Sequence, residues 1–196
     1  MSSGYGTHIA VLKVVQAHVG DANAVEFGCG MYSTKWLLEN FRHLTTVELD
    51  EGWVTKVANG TCAEMKKRWS MVVVKDEQWA FQAAGRIPQA DVVLVDGGDH
   101  KARVKVAQSC MDQGTTKAVV MHDAERIEYD WNTLWLLDGW KYVRCEGEMP
   151  WSAVATPNDD LVMALSNAFP CTICTGPECL RRISFPAIKA WDAAGG

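Results

Sequence analysis

Residues 90–100 read ADVVLVDGGDH. Val92, Val93, Leu94 and Val95 follow one another without the polar alternation that a strand with one wet face shows. An apolar run of this length, closed by Asp96, Gly97 and Gly98, marks a strand covered on both faces, as in the parallel sheet of an α/β protein. Downstream, residues 101–111 read as a helix and KAVVMHD (117–123) as another strand. WNTLWLLD (131–138) has helical apolar spacing, with Trp131 and Trp135 at i, i+4 as packing residues. KYVRCE (141–146) and SAVAT (152–156) are strands too close in sequence for a crossover. They are expected to pair antiparallel around a loop holding Gly147 and Pro150.

Upstream, the same alternation runs back toward the N-terminus. MVVVK (71–75), TTVEL (45–49) and AVEF (24–27) read as strands. Residues 52–68, 33–40 and 8–19 read as helices, the middle one opened by Ser33 and Thr34 as an N-cap pair. Residues 77–84 are at most a short helix. Five strand–helix units followed by a hairpin predict an α/β fold, a Rossmann-like three-layer sandwich. Its sheet is mostly parallel and seven-stranded, with an antiparallel C-terminal hairpin. Residues 1–166 form one domain, and residues 167–196, where the periodicity fades, form a cysteine-containing tail packed on it.

With 196 residues, 48% hydrophobic and 22% charged, the composition is that of a globular domain with a full core, not of a disordered chain. Net charge is −5, from 19 basic and 24 acidic residues, which gives no general attraction to phosphate backbones. Nucleic acid is therefore a poor partner. No apolar run reaches the length of a membrane span, and MSSGYGTHIA lacks the order of a secretory signal, so a cytoplasmic protein is expected.

Ligands of an open parallel sheet bind beyond the carboxyl ends of its strands. There the first strand runs into VEFGCGMYST: Gly28 and Gly30 permit a tight turn and close backbone approach to a ligand. Glu26 precedes them and Ser33 follows. The second strand ends at Glu48, the third at Asp76 and Glu77, the fourth at Asp96, the fifth at His122 and Asp123. Carboxylates at every strand end predict an acidic rim suited to a ligand with hydroxyls, an amino group and a positive centre, and ill suited to a pyrophosphate. A carboxylate where Glu48 stands accepts paired hydrogen bonds from a ribose.

The set VEFGCGMYST, TTVELD, ADVVLVDGGDH and AVVMHDA, in this order across residues 8–165, resembles the class I S-adenosylmethionine-dependent methyltransferases. The likeness is to the branch whose fourth strand ends in a D-G-x-H-like sequence and whose fifth ends in H-D, in and near which small-molecule O-methyltransferases are common. The resemblance implies S-adenosylmethionine as cofactor, with the turn at residues 28–30 beneath its methionine and Glu48 on its ribose. It also implies Asp76 and Glu77 near the adenine, Trp79 as a stacking partner, and Asp96 at the methionine amino group or the reacting centre. The cofactor-binding set is then Glu26, Gly28, Gly30, Ser33, Glu48, Asp76, Glu77 and Asp96, with residues 4–8 folding over the site. The sulfonium is already a strong methyl donor, so the protein supplies alignment, and a base only where the acceptor must lose a proton. His100 and His122 join Asp96 as candidate catalytic residues. Related catechol-type and sugar O-methyltransferases hold a divalent cation with acids at the fourth and fifth strand ends. Asp96 and Asp123 match two of these positions, while Ala124 stands where another oxygen ligand is common.

Bland readings stand beside these. His100 also reads as a helix-start residue, His122 as a hydrogen-bonded core histidine and Asp123 as a cap. His8 is structural unless the N-terminal segment closes the pocket. In CTICTGPEC (171–179), Cys171, Cys174 and Cys179 are compatible with reduced thiols, with zinc lacking an evident fourth ligand, or with a disulfide. The D/N-P-P-Y/F sequence of amino methylation does not follow the fourth strand, so a hydroxyl or carboxyl of a small molecule or glycan is the expected acceptor. The main rival is a nicotinamide-dependent Rossmann oxidoreductase, whose G-x-G-x-x-G fingerprint is broken here by Ser33. An S-adenosylmethionine-binding enzyme with non-methyl chemistry is the second rival.

Overall fold

The computed structural model describes residues 7–74, 90–98, 100–147 and 149–183; Asp76, Glu77 and Trp79 lie outside the described residues. The elements run α1 (Thr7–Val19), β1 (Asn23–Phe27), α2 (Ser33–Asn40), β2 (His43–Glu48), α3 (Glu51–Asn59), α4 (Ala63–Lys66) and β3 (Trp69–Val73). After them come β4 (Val92–Val95), α5 (His100–Asp112), β5 (Ala118–His122) and two 3-10 turns, Ile127–Tyr129 and Trp131–Thr133. The chain then continues through β6 (Lys141–Cys145), β7 (Ser152–Thr156), α6 (Asp159–Ala168), β8 (Cys171–Cys174) and α7 (Pro177–Arg181). No helix among the described residues is long and apolar enough to cross a membrane.

One sheet takes the order β3-β2-β1-β4-β5-β7-β6-β8. β1 to β5 are parallel, β7 runs antiparallel between β5 and β6, and β8 is antiparallel to β6. All four residues of β4 are buried, and their side chains alternate between two cores. Val92 and Leu94 pack with Leu12, Leu37 and Leu161 of α1, α2 and α6. Val93 and Val95 pack with Val106, Met111 and Trp131 on the opposite face. Two cores on one sheet make the three layers.

Three expectations are corrected. The sheet has eight strands rather than seven, because β8 extends it beyond β6; the short, partly exposed sequence CTIC carries no apolar period that announces a strand. Residues 52–68 are two helices, since Thr61 Oγ1 donates to Val57 O (2.9 Å) and the Thr61 N–H turns to Ala58 O (3.1 Å), which ends α3. Residues 131–138 form only the second 3-10 turn. Asp130 before it is left-handed (φ 54°) and Leu134 after it is extended (φ −58°, ψ 129°). Trp131 is fully buried while Trp135 is 57% exposed, so the pair shares no face. Burying Trp131, Leu134 and Leu136 in the core beside α5 outweighs the local helical spacing.

The cysteines follow the sheet. Cys171 and Cys174 stand an odd number of residues apart on β8, and they belong to opposite cores. C-x-x-C therefore cannot close on itself: Cys174 is disulfide-bonded to Cys179 from α7, and Cys171 is free, opposite Cys145 in the β6–β8 register. This pairing removes two of the three thiols that a zinc site would have used.

Candidate active site

Where β1 leaves the sheet, Gly28 takes φ 87°, a conformation that L side chains rarely adopt. Its N–H still donates to Val47 O (2.9 Å), so the β1–β2 pairing holds up to the bend. A Cβ at Gly28 would collide with the Gly97 backbone, and one at Gly97 with Gly28. Two glycines thus let the ends of β1 and β4 touch. Beneath the bend lies Glu26, fully buried. Its carboxyl accepts from Ser33 Oγ (2.5 Å), Thr34 Oγ1 (2.7 Å) and Thr46 Oγ1 (3.2 Å), and Thr34 Oγ1 accepts the Gly30 N–H (3.0 Å). The Ser33–Thr34 pair therefore ties α2 to β1 instead of capping it; the cap position is Tyr32, with no side-chain bond. Burial pushes the Glu26 carboxyl up to about 8, against hydroxyl hydrogen bonds that favour the charge.

Beside the bend, Glu48 ends β2. Its Oε2 accepts the Cys29 N–H (2.7 Å), and its Oε1 accepts from the N–H groups of Leu49 (2.7 Å) and Asp50 (3.1 Å). Asp50 caps α3 by accepting the Trp53 N–H (3.1 Å), and Trp53 Nε1 donates to Cys29 O (2.5 Å). The peptide groups flanking Cys29 are thereby held from β2 and α3, so the bend is fixed before any ligand arrives.

The ends of β4 and β5 assemble a second group. Asp96 Oδ1 accepts from His122 Nδ1 (2.7 Å) and lies 3.9 Å from Arg103 Nη1 of α5. Asp123, left-handed at φ 56°, turns its carboxylate to Arg103 Nη1 (3.2 Å), the Tyr129 hydroxyl (3.3 Å) and Arg126 Nε (3.8 Å). From α1, His8 sets its ring edge-on to His122, with centroids 4.6 Å apart. His8 is 2% and His122 8% exposed, and neither nitrogen of His8 nor Nε2 of His122 has a hydrogen-bond partner. Burial pushes His8 down to about 4, helped by the charge of His122 and opposed by Asp96 and Asp123. Burial alone would lower His122 and raise Asp96. The hydrogen bond and charge attraction between them overcome it, so His122 stands above its ordinary value and Asp96 below.

Glu26, Gly28, Gly30, Ser33 and Glu48 therefore meet at the bend, and Asp96, His122 and Asp123 meet beside it, the two groups joined through the Gly28–Gly97 contact. His100 is the first residue of α5. The acidic rim is narrower than the sequence suggests. Glu26 lies inside the protein, and among the described residues the partly exposed strand-end carboxylates are Glu48, Asp96 and Asp123. The last two are countered by His122 and Arg103. Among the described residues, Arg103 and Tyr129 hold the Asp123 carboxylate, and Ala124 is buried without a donor side chain. Arg103 is the residue that sequence reading misses, although two acids at neighbouring strand ends call for a cation between them. A groove of about 480 Å³ lined by His18, Val19, Lys117, Pro157, Asn158 and Leu161 holds none of these groups.

By sequence, the chain matches no protein-family model and no curated protein. By fold, it is similar to a protein described as an O-methyltransferase from Klebsiella pneumoniae (TM-score 0.58, 13% identity, 76% of this chain and 80% of that one). It is also similar to one described as a caffeoyl-CoA O-methyltransferase from Staphylococcus aureus (0.57, 12%, 76% and 82%). A third is a protein described as a tRNA (m1A22) methyltransferase from Streptococcus pneumoniae, in complex with S-adenosyl-L-methionine (0.53, 14%, 74% and 69%). At such identities the likeness establishes the fold alone, one shared with these three proteins.

Proposed function

We propose that the chain is an S-adenosylmethionine-dependent methyltransferase acting on a hydroxyl or carboxyl group of a small molecule or glycan. The observation that carries this reading is the Gly28–Gly97 contact with Glu48 fixed beside it. It offers a ligand bare backbone and a carboxylate at the carboxyl ends of adjoining parallel strands. The methionine part of the cofactor lies over residues 28–30, with Glu26 and Ser33 shaping the bend from below. Glu48 takes the ribose through Oε2, which keeps a lone-pair site free of the Cys29 N–H. Asp96 faces the methionine amino group.

In the transfer, an acceptor oxygen attacks the sulfonium methyl and the carbon–sulfur electron pair returns to sulfur, leaving S-adenosylhomocysteine. The acceptor proton passes to His122 Nε2, while Asp96 holds Nδ1 and sets the ring. The sheet supports this reading over the nicotinamide one. Dinucleotide folds order their strands 3-2-1-4-5-6, whereas here an antiparallel β7 enters between β5 and β6.

Titration calorimetry with S-adenosylmethionine, S-adenosylhomocysteine and NAD tests the proposal. The first two are expected to bind one per chain and NAD to give no heat. Glu48→Ala removes a hydrogen bond to a charged acceptor, worth about 1.5–3 kcal/mol, and should weaken binding roughly 10–100-fold with an unchanged circular dichroism spectrum. Unchanged affinity would remove the ribose assignment. Mass analysis of the spent cofactor then separates methyl transfer from lyase or aminopropyl chemistry.

A further inference from the structure

The geometry points to a divalent transition-metal site of the zinc type, formed by His8, Asp96 and His122. Three separate elements, α1, β4 and β5, deliver these side chains to one place, and their donor atoms lie within 4.8 Å of one another. Burying a polar nitrogen without a partner costs free energy, and here three do so together: both nitrogens of His8 and Nε2 of His122. His8 in particular, 2% exposed, makes no hydrogen bond that would explain an imidazole rather than an aliphatic side chain on α1. A cation takes one nitrogen of each ring and so accounts for at most two of the three.

Two imidazoles and one carboxylate suit zinc and its neighbours, not magnesium or calcium, which take oxygen ligands. Ligand bonds of about 2.0–2.2 Å in a tetrahedron place donor atoms roughly 3.3 Å apart, so side-chain shifts on the order of 1 Å close the set. Asp123 is not a member, because Arg103 and Tyr129 hold its carboxylate. Three protein ligands leave a fourth position for water or an acceptor oxygen. A cation there acidifies a bound hydroxyl; in the metal-loaded chain this replaces proton transfer to His122, which serves as proton acceptor only in the metal-free chain. The inference concerns the acceptor side of the proposed active site but rests on these three side chains alone, and its test needs no cofactor.

The metal-stripped full chain is titrated with zinc chloride by calorimetry and with cobalt(II) by visible absorption. One zinc per chain is expected. His8→Gln and His122→Gln should each weaken it by more than the roughly 10–100-fold of an outer-shell change, and Asp123→Asn should leave it in place. Cobalt in the unaltered chain should show the ligand-field bands of a tetrahedral site without thiolate charge transfer, a readout that does not depend on any variant folding. Absence of stoichiometric binding, unchanged affinity in both histidine variants, or a thiolate band placing the ion on cysteines would each overturn the site. None of these results bears on whether S-adenosylmethionine binds.

Discussion

Glu26 illustrates how little a residue's type says about its direction. On β1 its neighbours Val25 and Phe27 face one core, so period two sends Glu26 to the opposite face, toward α2, and not outward to a ligand. Enclosed there, its carboxyl is pushed up to about 8 from an ordinary 4.5. Between those values the folded chain keeps a proton that the unfolded chain has released, so stability is full below the lower value and falls as pH rises toward the upper one. His8, held down to about 4, contributes an opposing rise over the lower part of this window, so the Glu26 effect is read as a difference: the melting midpoint of the unaltered chain relative to Glu26→Gln should decline from about pH 5 to pH 8. A difference profile that rises across this window would contradict the buried, protonated carboxyl. Gly28 is constrained just as tightly. Gly28→Ala adds a Cβ at positive φ and against Gly97, which costs at least about 1–2 kcal/mol and should lower the melting midpoint together with cofactor affinity.

At the level of elements, legibility tracked how far local pattern and tertiary packing agree. β4 announces itself because four buried aliphatics leave no other structure open, and Leu94→Ala should destabilise by about 2–5 kcal/mol in urea unfolding. Residues 131–138 mislead because their apolar spacing serves an irregular segment pinned from outside. The Trp135 N–H donates to Gln108 Oε1 (2.7 Å) and Trp131 Nε1 to Asp123 O (3.3 Å), contacts that no local window contains. β8 hides for the opposite reason, being brief and at an edge. Its disulfide to α7 closes a loop with a sequence separation of 5. Reduction should cost only about 2 kcal/mol and raise hydrogen exchange in residues 171–181 alone; exchange spreading into β5 would show that the edge supports the whole sheet.

For the molecule as a whole, strand order and strand-end chemistry reinforce one another. Gly28, Glu48 and Asp96 could be picked from sequence because each closes a readable strand, and parallel order puts such ends on one side of the sheet. What sequence does not reveal is which long-range partners those ends acquire. His8 reaches His122 from the far end of the chain, and Arg103 reaches Asp123 from a helix face. The acidic rim becomes a nearly balanced cluster once those partners are in place. A crystal structure with S-adenosylhomocysteine bound puts the whole arrangement to the test. The ribose is expected against Glu48 Oε2 and the homocysteine along the backbone of residues 28–30, short of His122. A nucleoside lodged elsewhere, or side chains filling the space above Gly28, would contradict the account.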